Sequence, residues 1–200
     1  MLAEQKVARS NRVGHTIKKT MQGLFLCYNK IMEWDKITDI ILITSLAVLG
    51  VFAVLGLYQL ITRKSLKKVD RNLLAFIPPL LIMVVIYIVF EKFIVINVRP
   101  DGSGEPSFPS THTMVVATIF FLTMNNLKKY IHNKPLCIIL DIVMLALISL
   151  TATGRVLANK HWPMDVIFGI IFAMVLDGIY CLIDRPHKKK KETKKESEDE

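Results

Sequence analysis

LLAFIPPLLIMVVIYIVFEKFIVINVRP, residues 73–100, decides the fold class. Residues 73–90 carry no charge, and a run of about 20 apolar residues is what a helix needs to cross the hydrocarbon core of a bilayer. The stretch then ends in two cations, Lys92 and Arg99, followed by Pro100. Four further apolar segments can be read outward from it, at 37–61, 111–127, 135–153 and 163–183. A hydrophobic fraction of 52% and a mean hydropathy of +0.41 are too apolar for an ordinary soluble domain, and these runs account for them. The expected class is an all-α integral membrane bundle of about five transmembrane helices. Pro78 and Pro79 predict a kink in the second segment, tolerated where neighbouring helices cover the freed carbonyls.

Charge sorts the chain into sides. Lys and Arg gather at 63–71, 125–134 and 185–195, which fall on one face if five segments cross. The positive-inside rule makes that face cytoplasmic. The net charge of +9 at pH 7 then lies largely against anionic lipid headgroups. No basic motif interleaved with aromatics points to nucleic acid as a partner. Residues 185–200 lack apolar periodicity and are expected to form a disordered cytoplasmic tail. Toward the N-terminus, Ile17, Met21, Leu24, Phe25, Tyr28, Ile31 and Met32 recur at helical spacing among charged and polar residues. This predicts an interfacial amphipathic helix within a basic unit of residues 1–36, ahead of a transmembrane unit at 37–184. The alternative is that residues 21–34 cross as a short helix, which would bring the basic N-terminus inside. Cys27, Cys137 and Cys181 are scattered without metal-ligand spacing and read as packing residues. Asp141 and Asp177 lie within apolar runs, where a structural partner is expected.

Chemistry concentrates where the runs break. Lys92 and Arg99, seven residues apart, would share one side of a continuous helix before Pro100 ends it. The second break reads Pro109-Ser110-Thr111-His112, with Ser110 in an N-cap position and backbone N–H groups open to an anion. The third reads GRVLANKHWPMD, residues 154–165. It holds Arg155 and His161, and Asp165 falls in the first turn of a helix opened by Pro163, within reach of His161. Cations can hold a phosphoryl group, one imidazole can attack it, another can protonate the leaving oxygen, and a carboxylate can fix the attacker's tautomer.

In order and spacing these three segments resemble the type 2 phosphatidic acid phosphatase (PAP2) superfamily, whose pattern is Lys-x6-Arg-Pro, Pro-Ser-Gly-His and Ser-Arg-x5-His-x3-Asp. The resemblance covers roughly residues 38–184. Thr111 stands where the family has glycine, and Gly154 where it has serine. The resemblance implies a membrane lipid phosphatase acting without metal or cofactor through a phosphohistidine on His161. It makes His112 the general acid and Asp165 the orienting carboxylate. Lys92, Arg99, Ser110, Thr111 and Arg155 would bind the substrate phosphate, with Thr151 or Thr153 standing in for the missing serine hydroxyl. Phosphatidate, phosphatidylglycerophosphate, lysophosphatidate or an isoprenyl pyrophosphate are the implied substrates, and the site would open on the extracytoplasmic face of the cell membrane. Two other readings share these residues. Vanadate-dependent haloperoxidases of the superfamily are soluble, so the membrane-length segments count against that one. A weak or inactive PAP2-like protein that binds phosphorylated lipids draws on the Thr111 and Gly154 departures.

Overall fold

The computed structural model describes residues 2–63 and 70–184 of the chain. Its helices are α1 (Leu2–Arg63), α2 (Arg71–Leu74), α3 (Ile77–Lys92), α4 (Thr111–Tyr130), α5 (Lys134–Leu157) and α6 (Pro163–Asp184). The expected disordered tail lies outside the described residues. Among the described residues, four stretches are long and apolar enough to cross a bilayer: Lys30–Thr62, Arg71–Lys92, Lys134–Leu157 and Pro163–Asp184. Their outer faces expose apolar side chains such as Ile40, Val54, Ile139 and Met174, as lipid-facing helices do. The protein is a multi-pass membrane bundle.

The remaining expected segment, at 111–127, is α4, and it differs from the others because it is the axis of the bundle. All three core clusters contain α4 residues. In the first, Val116, Ile119 and Phe120 meet Ile41 of α1, Met144 and Ile148 of α5 and Ala173 of α6. Protein rather than lipid surrounds α4, so it tolerates hydroxyls and amides, most of which find partners within the bundle. Thr118 and Thr123 donate to the carbonyls of Met114 and Ile119, each at 2.7 Å. Asn126 accepts from Asn72 at 2.6 Å, and Asn125 donates to Asp177 at 2.7 Å. The two intramembrane acids thus have the structural partners expected of them, Asp141 pairing with Lys128 at 3.0 Å.

Three elements depart from the sequence reading. The prolines do not kink a helix but begin one: Pro78 and Pro79 occupy the first turn of α3, where no intrahelical N–H is needed. That helix stops at Lys92, and the β-branched run Ile94–Val95–Ile96 beyond it leaves the helix for extended backbone. Val98 pairs with Pro106 as an isolated antiparallel bridge, so Lys92 and Arg99 never share a helix face. Finally, the interfacial helix is not a separate element. The backbone runs as one helix from Leu2 to Arg63, and residues 34–39 of α1 belong to the bundle.

Close contact between α4 and α6 sets the spacing of the site. A Cβ on Gly169 would lie 3.0 Å from the Ser110 carbonyl oxygen and 3.3 Å from the Met114 nitrogen, backbone atoms that cannot swing away. Around Gly178 nothing lies within 4 Å. Gly169→Val should therefore destabilise the protein by about 1–3 kcal/mol, while Gly178→Ala should be neutral or slightly stabilising. Thermal unfolding of both variants in detergent checks the contrast.

Candidate active site

All three polar segments meet at one end of the bundle, with the first turns of the buried part of α1. The 97–110 loop is closed by Arg99 N–H on the Glu105 carbonyl and Ser107 N–H on the Asn97 carbonyl, both at 2.9 Å. Gly102 and Gly104, at φ +81° and +74°, make the reversal that a side chain would resist. Phe108 anchors the loop in an aromatic cluster, with ring centroids 5.4 Å from Phe90 and 5.2 Å from Phe168. The connector between α5 and α6 turns at Asn159, whose φ of +56° is a conformation asparagine tolerates.

Loop and connector are sewn together. Trp162 Nε1 donates to the Val98 carbonyl at 3.0 Å, Ser110 N–H to the Asp165 carbonyl at 3.0 Å, and Lys160 pairs with Asp101 at 3.1 Å. Hydrogen bonds from Ser103 hold the Asp101 carboxyl down at about 2, with a smaller contribution from Lys160, so this latch stays charged at physiological pH. The central stitch is His161, whose Nδ1 lies 2.7 Å from the Ser107 carbonyl oxygen. A carbonyl only accepts, so Nδ1 carries the proton and Nε2 keeps its lone pair.

Asp165 does not hold the imidazole as expected. It is buried, and Oδ2 accepts the N–H of Trp162 at 2.9 Å while Oδ1 accepts from Asn97 at 3.3 Å. An acid at the third helical position, bonded to the N-cap N–H, is a capping interaction, and the His161 Nδ1 proton it would have held goes to the Ser107 carbonyl instead. Asp165 thus acts on His161 through its charge and by fixing the start of α6.

A cleft of about 160 Å³ is lined by Tyr87, Glu91, Arg99, Thr111, His112 and His161, among others. Of the expected phosphate ligands, Arg99 and Thr111 reach it. Arg99 is paired with Glu105 at 2.6 Å, and its Nε is buried without a partner. Ser110 is buried, and its hydroxyl meets that of Thr113 at 3.0 Å, so it sits in the N-cap position without capping α4. Lys92 is exposed at the end of α3 and does not line the cleft. Arg155, only 4% exposed, lies behind it and donates to Asp35 of α1 at 2.6 Å.

Sequence reasoning placed a helix here but missed what α1 brings to the site. A Cβ at Gly154 would lie 2.6 Å from Thr38 Cγ2, so the space of the family serine is filled from α1. The Thr38 hydroxyl lies 3.4 Å from Arg155 Nη1, whereas Thr151 bonds Leu147 in its own helix and Thr153 is exposed. Asp39 Oδ1 stands 2.9 Å from His112 Nε2. The available signal was an acidic pair one turn apart at the polar end of an apolar run.

Comparison with known proteins gives the family and the fold. The PAP2 superfamily model matches residues 87–188, and the chain belongs to that superfamily. In fold it is similar to a transmembrane PAP2-type phosphatidylglycerolphosphate phosphatase from Bacillus subtilis, with a TM-score of 0.57 and 22% identity over 80% of this chain and 79% of that one. No curated protein matches it by sequence.

Burial, and after it the charge of Arg155, push His161 down to about 4. Desolvation penalises the imidazolium, so the ring is neutral from weakly acidic pH upward. Nuclear magnetic resonance titration of labelled histidine should therefore place the midpoint of His161 well below 6.5. The acidic limb of any His161-dependent activity should follow that midpoint.

Proposed function

We propose that the protein is an integral membrane lipid phosphatase that removes a terminal phosphate from a phospholipid or an isoprenyl pyrophosphate through a phosphohistidine on His161. The observation that carries this reading is the bond from His161 Nδ1 to the Ser107 carbonyl beside the cleft that His112 shares. It leaves Nε2 as a neutral nucleophile opposite a second imidazole able to act as acid.

In this mechanism Nε2 attacks phosphorus, the bond to the leaving oxygen breaks, and that oxygen takes a proton from His112. His112, now neutral, accepts a proton from the water that attacks the phosphorus–nitrogen bond, releasing phosphate and restoring both rings. Arg99 and Arg155 supply the positive charge that a metal supplies elsewhere. In the resting site each arginine is neutralised by a carboxylate, Glu105 or Asp35, and phosphate oxygens must take over those contacts. Thr111 narrows the mouth beside His112, and Asp165 keeps α6 and the connector in register. Lys92 stands outside the cleft and would meet the headgroup rather than the reacting phosphate. A second reading, a PAP2-like protein that binds phosphorylated lipids with weak turnover, draws on those occupied arginines and on the exposure of Lys92.

His161→Ala should lower phosphate release from a lipid phosphate panel by roughly 10³-fold or more and abolish an acid-labile phosphoenzyme, with unchanged insertion. Retained activity in clean preparations would remove His161 as nucleophile, and no release by the unaltered protein would favour the binding reading. Chelators should leave the rate nearly unchanged and orthovanadate should inhibit. Activity lost with EDTA and restored by magnesium would refute the metal-free mechanism.

The site end is proposed to face outward and the opposite end, with the basic stretches, to face the cytoplasm and its anionic headgroups. In a background lacking Cys27, Cys137 and Cys181, an impermeant thiol reagent on intact cells should label Ser103→Cys and spare Ser197→Cys. The reverse pattern would invert the orientation.

A further inference from the structure

Asp35, Thr38 and Asp39 fall on one face of α1, three and four residues apart. That face is pressed against the end of α5, where Thr38 fills the space above Gly154. Thr38 is fully buried and donates to the Asp35 carbonyl at 2.8 Å, while Asp35 takes Arg155 at 2.6 Å. Contact this tight fixes the rotation of α1 about its axis, and with it the aim of Asp39 one turn on. Asp39 Oδ1 comes to 2.9 Å from His112 Nε2 and 4.0 Å from Arg155 Nη1.

The two imidazoles of the cleft therefore have unlike partners. His161 is bonded to a neutral carbonyl, and His112 to a carboxylate. A carbonyl supports a neutral ring with its proton on one nitrogen, whereas a carboxylate supports an imidazolium. This is the division that a nucleophile and an acid require.

We propose that Asp39 is the positioning residue of His112, so that the first helix supplies the carboxylate half of an acid dyad. The inference rests on the phosphatase reading. Asp39 accepts Nε2–H and turns Nδ1 to the leaving group. When the phosphorus–oxygen bond breaks, its electron pair goes to the leaving oxygen, which takes the Nδ1 proton. His112 is left as the neutral Nε2–H tautomer, still bonded to Asp39, and Nδ1 receives a proton from the hydrolytic water in the second half-reaction. Asp39 touches no reacting atom. Among the described residues, the charged and titratable groups around His112 are Asp39 and Asp35 of α1, Arg155 of α5, and Tyr87, Glu91, Arg99 and His161 of the cleft. Without Asp39 the nearest carboxylate is gone while both arginines remain.

The test uses the full-length protein in detergent with two substrates, short-chain phosphatidic acid and p-nitrophenyl phosphate. The alkoxide of the first needs a proton on departure and the nitrophenolate of the second needs little. Asp39→Asn should slow the lipid substrate at least about tenfold, part of the roughly 10²–10⁴ that general acid catalysis supplies, and should slow p-nitrophenyl phosphate several-fold less. The alkaline limb of the rate should move to lower pH, and Asp39→Glu should recover part of the loss. Equal losses on both substrates, or an unmoved alkaline limb, would overturn the assignment. Absence of turnover by the unaltered protein on either substrate would instead overturn the phosphatase reading. Should the variants fail to fold, histidine-labelled wild-type protein still decides. Its neutral His112 should be the Nε2–H tautomer, and an Nδ1–H tautomer would overturn the proposal.

Discussion

Hydrogen bonds between the 97–110 loop and the 158–165 connector hold together two chain segments that approach from different helices. Ser107, Ser110 and Val98 each offer a backbone group to the connector, and His161, Asp165 and Trp162 answer them. Backbone groups cannot change rotamer, so the position of the His161 ring is inherited from the loop rather than chosen by the side chain. The loop is in turn fixed by the wedge of Phe108 between Phe90 and Phe168. A chain of rigid contacts thus runs from the apolar interior to one nitrogen lone pair. This is how a site built from connections between helices acquires the precision usually associated with the helices themselves.

Electrostatics at the same end are balanced before any substrate arrives. Arg99 faces Glu105, Arg155 faces Asp35 and His112 faces Asp39. Buried cations without counter-charges would be costly, Arg155 above all. Under the proposed function, a phosphate entering such a site would exchange one anion for another instead of neutralising a bare positive cluster. The gain on binding is then a difference between two ion pairs, which favours ligands whose oxygens match the arginine fork better than a single carboxylate does.

Much of this was legible from the sequence, for reasons that differ by element. Apolar runs announce spanning helices whatever their partners, and the motif order in 92–100, 109–112 and 154–165 identified the connections that meet. Directions within those connections were not legible. Lys92 and Arg99 were assigned one helix face because their spacing suits a helix, yet the β-branched residues after Phe93 lead the chain away. Asp165 was given to His161 by its position four residues on, but the same position also suits a helix cap, and the cap prevailed. Asp35 and Asp39 belong to no motif and stand at the junction between the charged N-terminal stretch and the first apolar run. Only packing of α1 on Gly154, through the buried Thr38, brings these two carboxylates to Arg155 and His112, and helix-to-helix contacts leave no periodic trace in a single chain.

The burial of α4 has a consequence for how the bundle is closed. Its Thr and Asn side chains leave it outside the set of stretches apolar enough to cross a bilayer by composition. Lipid is a poor environment for such a segment, whereas the bundle encloses it, with Asn126 meeting Asn72 of α2 and Asn125 meeting Asp177 of α6. Its residence in the membrane is thus tied to helices synthesised after it. The packed surroundings of α4 are complete only when α5 and α6 are in place, so the interior of the bundle is closed by its last two helices.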